Sequence, residues 1–191
     1  MHEGITSVKL GMKGIPAIAE ELGVVKAIYL SQYTNTRIHL INISSAGSVE
    51  LIREAKAKGV QITCSCNAYN LYLKDEKLID YDSNLKVLPP LRSSADIAAL
   101  VNGVIDGTID TICSAHIPID EEGKNLEFDL ASYGMIGLQT VFPILSEVAD
   151  KKTMAEYIDA ISNRPRVVLN QTQTTIEEGN IACLTAFDPN K

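Results

Sequence analysis

Two stretches of this chain share one plan: a β-branched apolar run ends in small polar residues, an amphipathic helix follows and stops on glycine, and another apolar run begins. Arg37 to Ser44 (RIHLINIS) reads as a strand. Residues 48–58 (SVELIREAKAK) read as a helix with a serine N-cap, Glu50 in the first turn and Gly59 as the stop. Val60 to Cys66 is the next strand, Asp96 to Asp106 the next helix closed by Gly107, and Ile109 to Ser114 the third strand. Strands that recur only after an intervening helix are joined by crossovers, which makes them parallel. The expected fold class is therefore α/β.

Helical periodicity also runs from Pro16 to Ser31, with Ala17, Leu22, Val25, Ile28 and Tyr29 placed to share a face. Leu138 to Ala149 and Thr153 to Ile161 read as two further helices, the first bent or begun near Pro143. Beyond about residue 165 the character changes. Val167-Val168-Leu169 and Ala182 to Asp188 read as short β runs separated by a polar Gln/Thr turn and Glu177-Glu178-Gly179. The expected organisation is a β/α unit over 1–165 and a small β appendix over 166–191.

A length of 191 residues with 46% apolar content suffices for one core. The net charge of -7 leaves no basic stripe for a phosphate backbone, so nucleic acid is not an expected partner. Apolar runs are strand-sized and broken by charge, so neither a membrane span nor a signal peptide is expected, and the default location is the cytoplasm. Cys64, Cys66, Cys113 and Cys183 lack a disulfide framework spacing and read as free, buried thiols of a reducing compartment. Cys64 and Cys66 lie one residue apart and share a strand face, which is not the C-x-x-C of a redox or zinc site.

Six blocks together carry a family signal: GIPAIAEE (Gly14 to Glu21), SSAGSVELIREAKAKGVQITC (Ser44 to Cys64), KVLPPLR (Lys86 to Arg92), DGTIDTICSAHIP (Asp106 to Pro118), LEFDLASYGMIGLQTVFP (Leu126 to Pro143) and IEEGNIACLTAFDPNK (Ile176 to Lys191). In this order they resemble the second half of the dihydroorotases of the amidohydrolase superfamily. The resemblance implies a distorted (β/α)8 barrel of the TIM type with a small β-sandwich, of which this chain supplies the later barrel half and sandwich strands. It also implies reversible hydrolysis of the cyclic amide of dihydroorotate to carbamoyl aspartate in pyrimidine biosynthesis. Family members use two metals, usually zinc, and an aspartate that shuttles the proton. A complete barrel takes about 250 residues, and the family's H-x-H strand and central lysine have no counterpart here, so the chain is expected to be a fragment of such a barrel.

At the positions where the family carries its chemistry, the resemblance implies a degenerate site. Asn42 stands where a metal-binding histidine is expected, Tyr69 where the next is expected, and Ala115 at the proton-shuttling aspartate. Leu88 replaces an asparagine that helps hold substrate, and Ile119 replaces a further histidine. A carboxamide, a phenol and a methyl group do not reproduce two imidazoles and a carboxylate, so no zinc and no other cofactor is expected. His116 keeps its family position and is a candidate for contact with a small molecule. Arg92 reads as a surface or ion-pair residue with an anion-binding alternative, and His39 as a core histidine. A new zinc site from Cys66, Cys113 and His116 has a spacing unlike known knuckles.

Two functional readings follow. One is an inactive dihydroorotase-like scaffold; by the same resemblance its partner is aspartate transcarbamoylase, with which inactive family members associate. The other is a cyclic amidohydrolase with an altered or single-metal site, using His116 as acid or base and Arg92 to orient substrate. A half-barrel also leaves its first strand, Arg37 to Ser44, as an open edge, so a homo-oligomer or pairing with the missing half-barrel is expected.

Overall fold

The computed structural model describes residues 1–182 and 184–187. Three parallel strands form its sheet in the order β1-β2-β3: β1 (Ile38–Ile43), β2 (Ile62–Asn67) and β3 (Thr111–Cys113). Around them run α1 (Ile5–Lys9), α2 (Ala17–Thr34), α3 (Ala46–Ala57), α4 (Ser94–Ile105), α5 (Glu121–Lys124), α6 (Val141–Val148), α7 (Met154–Ile161) and α8 (Asn163–Val168). Helix α3 is the crossover from β1 to β2 and α4 lies in that from β2 to β3, as the glycine stops at Gly59 and Gly107 require. Both glycines sit at φ +79, a left-handed conformation that costs glycine little.

Helix starts depart from the sequence reading. The N-cap of α3 is Ser45, whose hydroxyl accepts from the Ser48 N–H at 3.2 Å, so Ser48 lies inside the first turn rather than before it. Likewise α4 is capped by Ser93, with Asp96 reaching back to the Ser93 amide at 3.1 Å in a capping box. The other Asp96 oxygen accepts from Ala46 N at 2.9 Å, which ties the starts of the two crossover helices together. The helix expected from Leu138 begins at Val141, with Pro143 inside its first turn, where a missing N–H costs little.

The core is one apolar cluster between sheet and helices, built on Val24, Ile43, Val49, Ile52, Cys64, Cys66, Leu100, Val104, Ile109, Ile112, Leu145 and Tyr157. A second cluster around Met1, Tyr69, Leu78, Val87, Leu91 and Phe128 sits beyond the end of β2, and Ile144 touches both. Cys64, Cys66 and Cys113 are free thiols, the first two fully buried, and burial pushes the Cys64 thiol up to about 12. Cys183 lies outside the described residues.

Two expectations are corrected. The shared face expected for the Pro16 to Ser31 helix divides: Ile28 packs against the core and Ala17 and Val25 are half-buried, but Leu22 and Tyr29 are exposed, and the residues that turn fully inward are Val24 and Ser31. Val167 and Val168 belong to α8 instead of a strand, and the Arg37 guanidinium donates to both their carbonyl oxygens, at 3.3 and 2.7 Å. A strand needs a neighbouring ladder, and these carbonyls take their partner from a side chain. Among the described residues of 171–187 there is no strand; Asp188 lies outside them. No helix among the described residues is long and apolar enough to cross a membrane.

Candidate functional site

In parallel α/β sheets, side chains that act on ligands gather where the strands end. Here the carboxyl ends of β1, β2 and β3 bring Asn42, Tyr69, Ala115 and His116 to the same edge of the sheet, each just inside or just after its strand. Asn42 has φ +60 and sits where the β1–β2 register is interrupted between Leu40 and Ile43; its N–H donates to Ser65 Oγ at 3.3 Å. Ala115 has φ +45. Asparagine visits this left-handed region readily, whereas alanine's Cβ is crowded there by about 1–2 kcal/mol. The backbone of β3's end is thus held in a conformation that its own side chain disfavours.

The end of β2 is closed by hydrogen bonds among its own side chains. Asn67 Nδ2 donates to Tyr69 Oη at 2.9 Å and to Asn70 Oδ1 at 3.3 Å, and Asn70 Nδ2 donates to the Pro90 carbonyl at 3.2 Å. All three side chains are buried, and Asn67 Oδ1 has no partner. Burial pushes the Tyr69 phenol up to about 12, against a smaller opposing effect of the bond from Asn67. Tyr69 is therefore a neutral phenol at neutral pH.

His116 is held by the chain that follows β3. Its Nδ1 faces the backbone N–H groups of Gly137 at 3.1 Å and Leu138 at 3.5 Å. Accepting those bonds puts the neutral ring's proton on Nε2, which can then donate but not accept. The approach depends on Gly137 being glycine, since a Cβ there would lie 2.1 Å from the Ser114 carbonyl oxygen.

Arg92 does not lie on the surface, contrary to one sequence reading, but is 2% exposed. Its Nε donates to Ser44 Oγ at 3.1 Å and its NH1 to the Ile15 carbonyl at 2.9 Å; NH1 lies 3.1 Å from His2 Nδ1, and NH2 lies 3.6 Å from Glu20 Oε2. Glu20 in turn accepts from the N–H groups of Ser44 and Ser45 at 2.9 and 3.0 Å and from the Ser44 hydroxyl. The guanidinium is thus the ion-pair residue of the sequence reading, placed in the interior, where it joins the N-terminal segment, the first turn of α2 and the end of β1. Leu88, for which the resemblance implies a substrate-holding position, is 53% exposed. His39 is half-buried on β1 with Nδ1 2.9 Å from Thr63 Oγ1, and burial lowers its pKa from the usual imidazole value.

Sequence reasoning missed Glu20, Asn67, Asn70 and Gly137. Glu20 and Gly137 lie inside blocks quoted for their resemblance, but nothing in a linear sequence pairs Glu20 with an arginine 72 positions on. The two asparagines flank Tyr69 and were legible only as its neighbours. Among the described residues no group of three or more His, Cys, Asp or Glu side chains is placed to hold a metal ion.

No family model matches the chain. It is 44% identical over 192 residues to a protein named dihydroorotase from Pelotomaculum thermopropionicum, covering 99% of this chain and 45% of that one. Proteins of the same name from Thermoanaerobacter sp. and Geotalea daltonii are 41% and 40% identical, again over 99% of this chain and 44% and 45% of theirs. Among solved structures, the L-hydantoinase (dihydropyrimidinase) from Arthrobacter aurescens superposes with a TM-score of 0.73 at 22% identity, over 81% of this chain and 36% of that one. The dihydropyrimidinase from Brevibacillus agri gives 0.70 at 20% identity, over 80% and 36%. The fold is that of part of these hydantoinases, and the chain is a homologue of the dihydroorotases across its whole length, spanning somewhat under half of theirs.

Proposed function

We propose that this chain is a non-catalytic dihydroorotase homologue, corresponding to the later half of a (β/α)8 barrel with part of its β-sandwich, that acts in the cytoplasm as an assembly or scaffold partner. One observation carries the reading: three strand ends that point chemistry at a common edge hold Asn42, Tyr69 and Ala115. These residues do not fit a zinc pair. Asparagine is a weak ligand, a phenol pushed up to about 12 is not an anion near neutral pH, and a methyl group has no lone pair. The buried Asn67–Tyr69–Asn70 set further supports a structural use of the β2 end, since its polar atoms bond mostly to one another and to Pro90.

The alternative of an altered amidohydrolase needs His116 as a general base. Its Nδ1 is occupied by two backbone N–H groups, and its Nε2 carries the proton in the neutral ring, so neither nitrogen offers a free lone pair. Arg92, the orienting group of that reading, is engaged on Glu20, Ser44 and Ile15.

The test is metal content and turnover together. Protein purified without chelator is expected to hold zinc far below one atom per chain and to hydrolyse dihydroorotate no faster than buffer. Stoichiometric zinc, or turnover abolished by a chelator, overturns the reading. By resemblance, aspartate transcarbamoylase is the first partner to try in co-precipitation.

A further inference from the structure

Residues 1–15 form a loop that closes on itself and on Arg92. Glu3 N donates to the Ile15 carbonyl at 3.2 Å and Ile15 N to the Met1 carbonyl at 2.7 Å, so a parallel bridge joins the two ends around α1. An approach this close depends on Gly14, where a Cβ would lie 2.6 Å from the Glu3 Cα. Both ends then meet one guanidinium: Arg92 NH1 donates to the Ile15 carbonyl at 2.9 Å and lies 3.1 Å from His2 Nδ1. The closed loop covers apolar surface, with Met1 buried in the second cluster and Leu10 and Met12 packed against it.

An arginine N–H only donates, so His2 must accept on Nδ1, and it does so as the neutral ring with its proton on Nε2. A proton added to Nδ1 would set one N–H against another at 3.1 Å and place a second cation beside a guanidinium that is 2% exposed. We infer that the loop is an acid-released clasp: neutral His2 holds it shut on Arg92, and protonated His2 lets it open from the second apolar cluster. The inference is independent of whether the strand ends act on a substrate. The charged groups that face His2 are Arg92, Asp96 in the first turn of α4, Asp75 and, on its own segment, Glu3. Burial and then Arg92 lower the His2 pKa from the usual imidazole value of 6.5, against the opposing effect of the three carboxylates. Closure is therefore fully supported by His2 above that value and loses this support as pH falls from it toward the lower value of the closed loop. The Met1 amino group, 3.4 Å from the Lys13 carbonyl oxygen, is the rival titrating group in the same loop, its pKa lowered by burial and Lys86.

The test uses the whole chain. Amide exchange, corrected for its intrinsic dependence on pH, is followed at Glu3 and Ile15 from about pH 8 to about pH 5, the interval in which imidazole titrates, while the His2 ring is followed by 15N NMR. The expected ring is Nε2–H when neutral and takes up its second proton below the usual imidazole value. Over the same interval the protection of Glu3 and Ile15 should fall at least about tenfold, the equivalent of one unit of pKa, while Leu100 in α4 keeps its own. In His2→Asn, whose Oδ1 takes the place of Nδ1 and does not titrate, the protection of both amides should no longer depend on pH. Protection unchanged through the ring's titration overturns the inference, as does an Nδ1–H tautomer or a proton taken up at or above the usual value. A pH dependence that survives in His2→Asn also overturns it, by assigning the release to the Met1 amino group or the carboxylates.

Discussion

At the scale of single residues, the strand ends hold Asn42 and Ala115 at positive φ beside the buried phenol of Tyr69. Ala115 at φ +45 occupies a conformation in which glycine has no Cβ to crowd the chain. Ala115→Gly is therefore expected to raise stability by about 1 kcal/mol after the extra entropy of unfolded glycine is deducted, read as a higher denaturant midpoint at unchanged slope. Arg92 is a different case, since its charge is buried against Glu20. Arg92→Met leaves that carboxylate without its cation and is expected to cost about 3–5 kcal/mol in urea unfolding. The double variant with Glu20→Gln should recover part of the loss; if it adds the full cost of a second lesion, the two side chains do not act as a pair. Asn42, Tyr69 and Ala115 were singled out by the resemblance to the dihydroorotases, and the strand reading put each of them inside or within three residues of an apolar run. The burial of Arg92 was not legible from the chain, since it depends on Glu20, Ser44 and Ile15 converging from three separate segments.

At the scale of elements, helices whose ends carry chemical signals were readable and those without them were not. The crossover helices α3 and α4 have serine caps and glycine stops, and their positions in the sequence reading are correct to within a few residues. The choice between Ser45 and Ser48 as the α3 cap needed the structure, because both serines sit before an apolar run and only one places its hydroxyl on an amide three residues ahead. Ser45→Ala is expected to lower stability by about 1 kcal/mol. Ser48 is fully buried and its hydroxyl meets that of Ser45, so Ser48→Ala should cost no more than the cap does; a larger loss at Ser48 would show that the shared hydroxyl bond outweighs the cap. Helix α2 is apolar on several sides, which leaves no polar face to orient it, and the residues grouped in the sequence reading divide between core and solvent. The tail failed for a related reason: Val167 and Val168 are β-branched, but propensity yields to context where no strand lies alongside.

At the scale of the whole molecule, two apolar clusters meet through Ile144, one under the sheet and one beyond the end of β2. Leu100 is fully buried in the first cluster. Leu100→Ala is expected to cost about 2–5 kcal/mol. With 3-fluorotyrosine incorporated, the assigned 19F signals of Tyr69 and Tyr157 should move together to the lower urea midpoint; separate midpoints for the two would show that the clusters unfold independently. What the sequence determined by itself is local and covalent: the order of strands and helices, the glycines that stop the helices, the parallel crossovers that follow from that order, and the residue types carried at each strand end. What only the tertiary structure decided is every feature that depends on groups distant in the chain. Those are the face of α2 that enters the core, the burial of Arg92 on Glu20, the proton position on His116, and the helical state of 163–168. The physical reason is that apolar period and capping act within a turn or two of chain, while burial and hydrogen-bond pairing depend on which segments arrive at the same place.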